Sequence, residues 1–536
     1  MTATKHILIS GNEAVALAAF ESGVAFATGY PGTPSTEILE RFSTLGGPAR
    51  WAPNEKVALE VALGAAFGGG RALAAMKHVG LNVAADPLFS AAYTTVNGAL
   101  VVVSCDDPGM ASSQNEQDNR RYAVAAALPM LEPSDSQDAY DFTVAAIELS
   151  ERWRLPVILR MTTRVCHSKT VVRARRPAAP PAPARFERDV RGRVMIPAYA
   201  RPAHRRLREK LARIAEWNET GPLTRRISSG DRELGIIASG VAFMHAREVA
   251  PSASMLKLGL TYPLPLGAIA DFAAAVERCV VIEEGDPFLA EAIRAAGIVV
   301  EDKPVSFRFG ELNVGRVRRI LVGDDSPEPE PPRGKPPALC AACQYLPVFE
   351  IFRKLDCIVS GDIGCSTLGA LPPYEAVDST VCMGASIGIG LGLRHVLPAA
   401  EARRVVSVIG DSTFLHSGMT GLVEMIYNPP PTGHLLIILD NSTTAMTGFQ
   451  EHPGSGRTLA HQTTGKVVLE DLARAFGIED VHVIDPVAES GKLARTISEC
   501  LGNGRINVIV ARHTCVLGAR QIESWARAAM PVETAP

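Results

Sequence analysis

The sequence predicts an α/β protein made of doubly wound parallel sheets. Apolar runs of strand length (HILIS, ALVVVSC, LGIIASG, CVVIEEG, VVSVI and HLLIILD) alternate with helix-length segments along the chain, the signature of strand–helix–strand crossovers. Two stretches rich in Pro and charge, RARRPAAPPAPARFERDVRGR and GDDSPEPEPPRGKPP, carry no apolar period and read as linkers. They divide the chain into an α/β unit over residues 1–175, a linker and basic helix over 176–230, a smaller α/β unit over 231–325, a linker over 326–336 and a third α/β unit over 337–536.

A chain of 536 residues suits about three domains, and 47% hydrophobic with 21% charged residues suits large buried cores. The net charge of −3 gives no reason to expect nucleic acid. No charge-free apolar run reaches the roughly eighteen residues of a membrane span. The start, MTATKHILIS, enters a strand pattern without the apolar core of a signal peptide. Ten cysteines without a secretory signal fit a reducing compartment, so a cytoplasmic protein is expected.

In the first unit HILIS reads as a strand, Asn12 as a candidate cap for the helix EAVALAAFESG, and AFATGYPGTPSTEILE as strand, Gly/Pro loop and helix. Glu55 falls in the first turn of a helix, where the macrodipole favours an acid. Lys77 and His78 lie near a strand end with Asn82 after them. A cation there suits a carboxylate or phosphate, or else simply a solvated loop. Asn115, Glu116 and Gln117 form a polar loop that could line the same cleft. The segment PAHRRLREKLARIAEWNE is a basic amphipathic helix, read as one apolar stripe with a solvated basic face.

Residues 405–450 are the most informative stretch: strand VVSVI, turn Gly410-Asp411-Ser412, helix, then strand HLLIILD ending in Asn441. Two apolar runs around a helical crossover make a parallel βαβ unit, and ligands sit beyond the carboxyl ends of such strands. Asp411 and Asn441, 30 positions apart, fall at those ends. A carboxylate and an amide oxygen among hydroxyl and backbone oxygens suit a hard cation such as Mg²⁺ that also holds a phosphate. The plainer alternative is that Asp411 caps a helix and Asn441 makes a turn.

Gly-Asp-Ser followed some thirty residues later by Asn resembles the thiamine diphosphate (TPP) signature. VIGDSTFLHSGMTGL and LDNSTTAMTGFQEHPG resemble the large subunits of the indolepyruvate:ferredoxin oxidoreductases, in the TPP-dependent 2-oxoacid oxidoreductase family. YPGTPSTEI, NEKVALEVALGAA, MKHVGLNVAADPL and SSQNEQDNRRYA resemble the pyrimidine-binding domain of that family. The resemblance implies three doubly wound domains: pyrimidine-binding, transketolase C-terminal-like and diphosphate-binding. It further implies TPP and Mg²⁺ as cofactors. Asp411 and Asn441 would bind the metal through side chains and Thr443 through its carbonyl, with Gly410 and Ser412 beside the diphosphate. Glu55, rather than Glu60 five residues on, would protonate the aminopyrimidine ring, and Thr33 would face substrate or thiazolium.

Cys340 and Cys343 stand at CxxC spacing, Cys365 follows in SGDIGCS, and Cys515 in RHTCVLG. A lone CxxC could be a redox pair, half a zinc site or chance, and all four could be buried structural thiols. The resemblance implies that the four bind one [4Fe–4S] cluster. Cys357 and Cys382 read as core residues, and DSTVCMGASIGIGLGL as a small-residue helix under the diphosphate. No cysteine follows Cys515, so the ferredoxin-like segment common in the family is not expected here. The implied reaction is oxidative decarboxylation of a 2-oxoacid, of the arylpyruvate kind, to acyl-CoA. It would use coenzyme A, a smaller partner subunit and an electron acceptor, ferredoxin or another, in a hetero-oligomer containing a dimer of this chain. The alternatives are a non-oxidative 2-oxoacid decarboxylase, which needs no cluster, and a non-catalytic TPP-domain scaffold.

Overall fold

The computed structural model describes residues 5–174, 183–230, 232–329 and 337–528. The chain forms two compact units, Met1–Pro329 and Glu330–Pro536. Parts of both proline-rich segments, residues 175–182 and 330–336, lie outside the described residues. Among those that are described, no helix is long and apolar enough to cross a membrane.

The first unit is built on a seven-stranded sheet. Its spatial order is Leu260–Tyr262, Met130–Leu131, Val157–Thr162, Ala99–Asp106, Arg71–Lys77, Phe26–Gly29 and Ala49–Trp51. All neighbours run parallel except Leu260–Tyr262, an antiparallel edge strand. The central strands Arg71–Lys77 and Ala99–Asp106 are buried at every residue, which explains their unbroken apolar reading: helices cover both faces of such a sheet. A second sheet of Arg278–Ile282, Leu234–Ala238, Ser254–Leu258 and Thr224–Ile227 is parallel but for its last strand. The run MLKLGLTY splits at Gly259, so one half serves each sheet.

Two expectations for this unit are corrected. HILIS does not join the main sheet; Lys5–Ser10 pairs antiparallel with Lys169–Ala174. Asn12 is not the cap. Ser10 accepts from the Glu13 amide while Glu13 reaches back to the Ser10 amide, a capping box that starts the helix at Gly11. Asn12 lies inside the helix, fully buried, donating to the Pro34 carbonyl at 2.7 Å. The basic helix Pro197–Glu219 buries Ala203, Leu207, Leu211, Ile214 and Asn218, a stripe at three- and four-residue steps. Its arginines point to solvent.

The second unit carries a five-stranded, wholly parallel sheet in the order Ile358–Ser360, Val405–Gly410, His434–Asp440, Ile506–Arg512 and Asp480–Ile484. Along His434–Asp440 the side chains alternate between two cores. Leu435, Ile437 and Leu439 pack with Phe349 and Phe352 on one face, and Leu436 and Ile438 with Phe414 and Leu422 on the other. The register sets Gly410 beside Leu439 and Asp440 beside Arg512, so the ends of these strands form one rim. Here the small-residue segment is corrected: the helix spans Ala385–Val396 only. DSTVCMG is a loop, because Gly384 turns through φ +85° with Ser417 packed against it. Cys382 on that loop is exposed rather than core, while Cys357 is half-buried against the Phe349 core.

Candidate active site

The strand Val405–Gly410 delivers Asp411, and the strand His434–Asp440 delivers Asn441 one residue beyond its end. Both side chains are buried, at 2% and 5% exposure, so neither is a solvated turn residue. Asp411 Oδ1 accepts from the Ser412 amide at 2.8 Å and Oδ2 from the Ser442 amide at 2.9 Å. Ser442 sits at φ +64°, a conformation costing a non-glycine residue about 1 kcal/mol. The same amide therefore also reaches Asp440 Oδ1 at 3.0 Å. Asn441 Oδ1 accepts from the Thr443 amide at 3.0 Å, and Thr444 Oγ1 donates to Ser412 Oγ at 3.0 Å. Asp411, Ser412, Asn441, Thr443 and Thr444 line a small cavity of about 50 Å³ with Gly364, Cys365, Gly410 and Thr413.

Two acids meet at this rim. Burial opposes ionisation of Asp411, but the His452 ring and the Ser412 amide outweigh it and hold the carboxyl below its usual value. Burial, and then the Asp411 charge, push Asp440 up, against the pull of Arg512 2.6 Å away. His452 Nε2 lies 3.3 Å from Asp411 Oδ2, close enough for attraction though its direction misses a hydrogen bond.

Cys340, Cys343, Cys365 and Cys515, from three separate segments, line one further cavity of about 80 Å³ with Leu339, Tyr345 and Phe449. Cys343 and Cys515 are buried and Cys340 and Cys365 half-buried. Burial, and then the neighbouring cysteines, raise the Cys365 thiol to about 11 and push Cys343 up as well. Tyr345, Cys365, Asn441 and Ala445 line both cavities, so the two share a wall.

In the first unit the candidates also gather at strand ends. Glu55 opens the helix Glu55–Phe67, which Asn54 caps through the Val57 amide at 2.9 Å. Glu55 is 5% exposed, and a Cβ on Gly80 would stand 2.6 Å from its Cγ, so the side chain occupies the space that glycine leaves. Glu60 is exposed and ion-paired with Lys56. Lys77 and His78 are buried rather than solvated. Lys77 Nζ donates to the Ser112 carbonyl at 2.6 Å, and burial lowers its pKa. Gln117 donates to the His78 carbonyl at 3.0 Å and exchanges hydrogen bonds with Asn82. The polar loop of Asn115, Glu116 and Gln117 is thus stitched onto the Lys77 strand end. Thr33 is half-buried in its loop, where a Cβ on Gly32 would lie 3.1 Å from Lys77 Cβ.

Residues 362–511 match the family described as thiamine pyrophosphate enzyme, C-terminal TPP-binding domain. Residues 17–203 match the thiamine-diphosphate-binding family of pyruvate flavodoxin/ferredoxin oxidoreductases. The sequence is 38% identical to indolepyruvate oxidoreductase subunit IorA of Archaeoglobus fulgidus, over 98% of this chain and 88% of that protein. It is 40% identical to the Methanothermobacter marburgensis subunit, over 96% and 87%, and 36% identical to that of Pyrococcus horikoshii, over 96% and 86%. The chain belongs to the indolepyruvate oxidoreductase subunit IorA family. A 2-oxoglutarate:ferredoxin oxidoreductase from Magnetococcus marinus superposes with a TM-score of 0.50 at 19% identity, over 60% of this chain and 65% of that one, and shares the fold.

Within the IorA family the chain is a TPP-binding oxidoreductase subunit, and the match from residue 362 to 511 takes in every residue lining the oxygen-lined cavity except Tyr345. Its donors are one carboxylate with amide, carbonyl and hydroxyl oxygens, the chemistry a hard cation and a diphosphate need. Among the described residues no group of three or more His, Cys, Asp or Glu is set to hold a single metal ion. The oxygen set contains a single acid of that kind facing the cavity. The four cysteines line the second cavity together with apolar neighbours. Sequence reasoning missed Tyr345, Asp440, His452, Gly80 and Asp362. Asp362 accepts from the Gly384 and Ser386 amides at 2.8 and 3.0 Å and so builds the loop carrying Cys365. The only sequence signal for it was its place in SGDIGC.

Proposed function

We propose that this chain is the catalytic TPP-binding subunit of an enzyme that oxidatively decarboxylates an arylpyruvate-type 2-oxoacid to its acyl-CoA. A 2-oxoacid and coenzyme A give acyl-CoA, CO₂, a proton and two electrons, and the electrons leave for an acceptor such as ferredoxin. One observation carries the reading: four cysteines from three segments line a cavity that shares a wall, Cys365 included, with the oxygen-lined pocket. A decarboxylase that released an aldehyde would have no use for that arrangement.

In this reading Asp411 and Asn441 hold Mg²⁺ through side-chain oxygens and Thr443 through its carbonyl, while Ser412 and Thr444 face the diphosphate. Bound TPP supplies the electron sink for loss of CO₂. Cys340, Cys343, Cys365 and Cys515 hold a [4Fe–4S] cluster, which supplies one-electron chemistry. Glu55 shares a proton with the aminopyrimidine ring nitrogen, and its burial keeps water from competing for that proton. Lys77 pairs with the substrate carboxylate in a site where burial strengthens the attraction, and Thr33 orients the same end. A smaller partner subunit and a second copy of this chain complete the assembly.

The test is anaerobic coexpression with the partner subunit and an assay of indolepyruvate- and CoA-dependent reduction of a viologen dye. Dye reduction with acyl-CoA formation, abolished in Cys365→Ala, is expected. Aldehyde release without CoA or dye reduction overturns the reading in favour of a non-oxidative decarboxylase.

A further inference from the structure

Asn441 is held at three points. Its Oδ1 accepts from the Thr443 amide at 3.0 Å, its Nδ2 donates to the Tyr345 hydroxyl at 2.7 Å, and its carbonyl accepts from the Cys515 amide at 3.1 Å. The Thr443 N–H can only donate, so the amide oxygen lies on that side and the nitrogen faces Tyr345. Tyr345 is 3% exposed and belongs to the Phe349 core. Its own proton is directed at the Leu439 carbonyl, 3.5 Å away, which leaves an oxygen lone pair for Asn441. The hydroxyl comes from the CxxC segment, two residues past Cys343, and lines both cavities.

We propose that Tyr345 is a positioning residue for the cation and diphosphate site, its hydroxyl acting with the Thr443 N–H to keep the oxygen and not the nitrogen of the Asn441 amide turned towards the cation. The inference rests on the reading of Asp411 and Asn441 as cation ligands. An amide offers a cation one ligating oxygen, and its other end carries two N–H groups that repel a positive charge. Half a turn of the amide exchanges the two. Removing the tyrosine hydroxyl leaves a buried amide nitrogen without its partner, so that only the Thr443 N–H still opposes that rotation. The residue that fixes the cation ligand thus grows from the thiol-bearing segment.

The test is a double-mutant cycle on the full chain with its partner subunit, reading Mg²⁺-dependent binding of thiamine diphosphate by calorimetry and iron content in parallel. Tyr345→Phe is expected to weaken binding roughly tenfold with iron content unchanged. In Asn441→Asp both terminal atoms are oxygens, so orientation no longer matters, and adding Tyr345→Phe is expected to cost less than about twofold. Wild-type affinity in Tyr345→Phe, or an equal loss in both backgrounds, overturns the inference. If wild-type binding needs no Mg²⁺ and survives Asn441→Ala, the cation reading itself has failed, a pattern distinct from either of those.

Discussion

The two units place polar residues at the ends of parallel strands, but they handle charge in opposite ways. In the first unit opposite charges neutralise one another. Arg160 lies 2.7 Å from Asp106 and 3.0 Å from Glu132, and the fully buried Arg120 bonds Asp118 at 2.6 Å and Glu283 at 2.5 Å. These pairs fix loops and tie the second sheet to the first. In the second unit like groups also face each other: Asp411 beside Asp440, which Arg512 pairs at 2.6 Å, and four cysteines around one cavity. Burying like donors together is costly unless a positive centre sits among them. The first arrangement is architecture completed by the chain itself; under the proposed function the second is a receptacle for cations.

The sharpest way to break that contrast is Asp411→Ala. Thiamine diphosphate affinity is expected to fall by more than about a hundredfold, since the acid of the oxygen set is gone, with unfolding of the first unit unchanged. Titration calorimetry beside a thermal melt reads both. Next in size is Gly80→Ala, whose methyl would stand 2.6 Å from Glu55 Cγ. Displacing the carboxylate by about an ångström is expected to lower kcat by roughly a hundredfold while thiamine diphosphate affinity stays within about threefold. A variant with normal kcat would remove Glu55 from the chemistry. Arg120→Met probes the neutralised region. It strands Asp118 and Glu283, and urea unfolding should show a loss of about 3–5 kcal/mol in the first unit alone.

The smallest effect concerns pH. His434 is buried with Nε2 2.8 Å from Ser407 Oγ, and burial, with Arg394 nearby, lowers its pKa from 6.5 to about 3. The unfolded chain therefore binds a proton that the folded one refuses. Stability of the second unit is present above about pH 6.5 and should fall by about 1.4 kcal/mol per pH unit below it. His434→Gln should flatten that slope in denaturant melts at pH 7 and pH 5.

The sheet architecture was legible because buried parallel strands leave continuous apolar runs, and the Asp411–Asn441 pairing because their spacing is set by one βαβ unit. The family phrases located the cysteines. Their convergence on one cavity depends on loops from three segments, and spacing alone does not encode that. Asn12 misled because asparagine is a good cap in isolation, whereas Ser10 with Glu13 outcompetes it. Cys382 misled because a run of small residues hides where Gly384 turns. Tyr345 and Gly80 left no signal: one acts by a hydroxyl direction, the other by an absent methyl.

The most direct test is iron and acid-labile sulfide analysis of anaerobically purified protein, with electron paramagnetic resonance after dithionite, on wild type and Cys340→Ala. About four irons per chain with a reduced-cluster signal, both lost in the variant, is the predicted result. Iron-free protein that still binds thiamine diphosphate would contradict the account and leave the four cysteines as structural thiols.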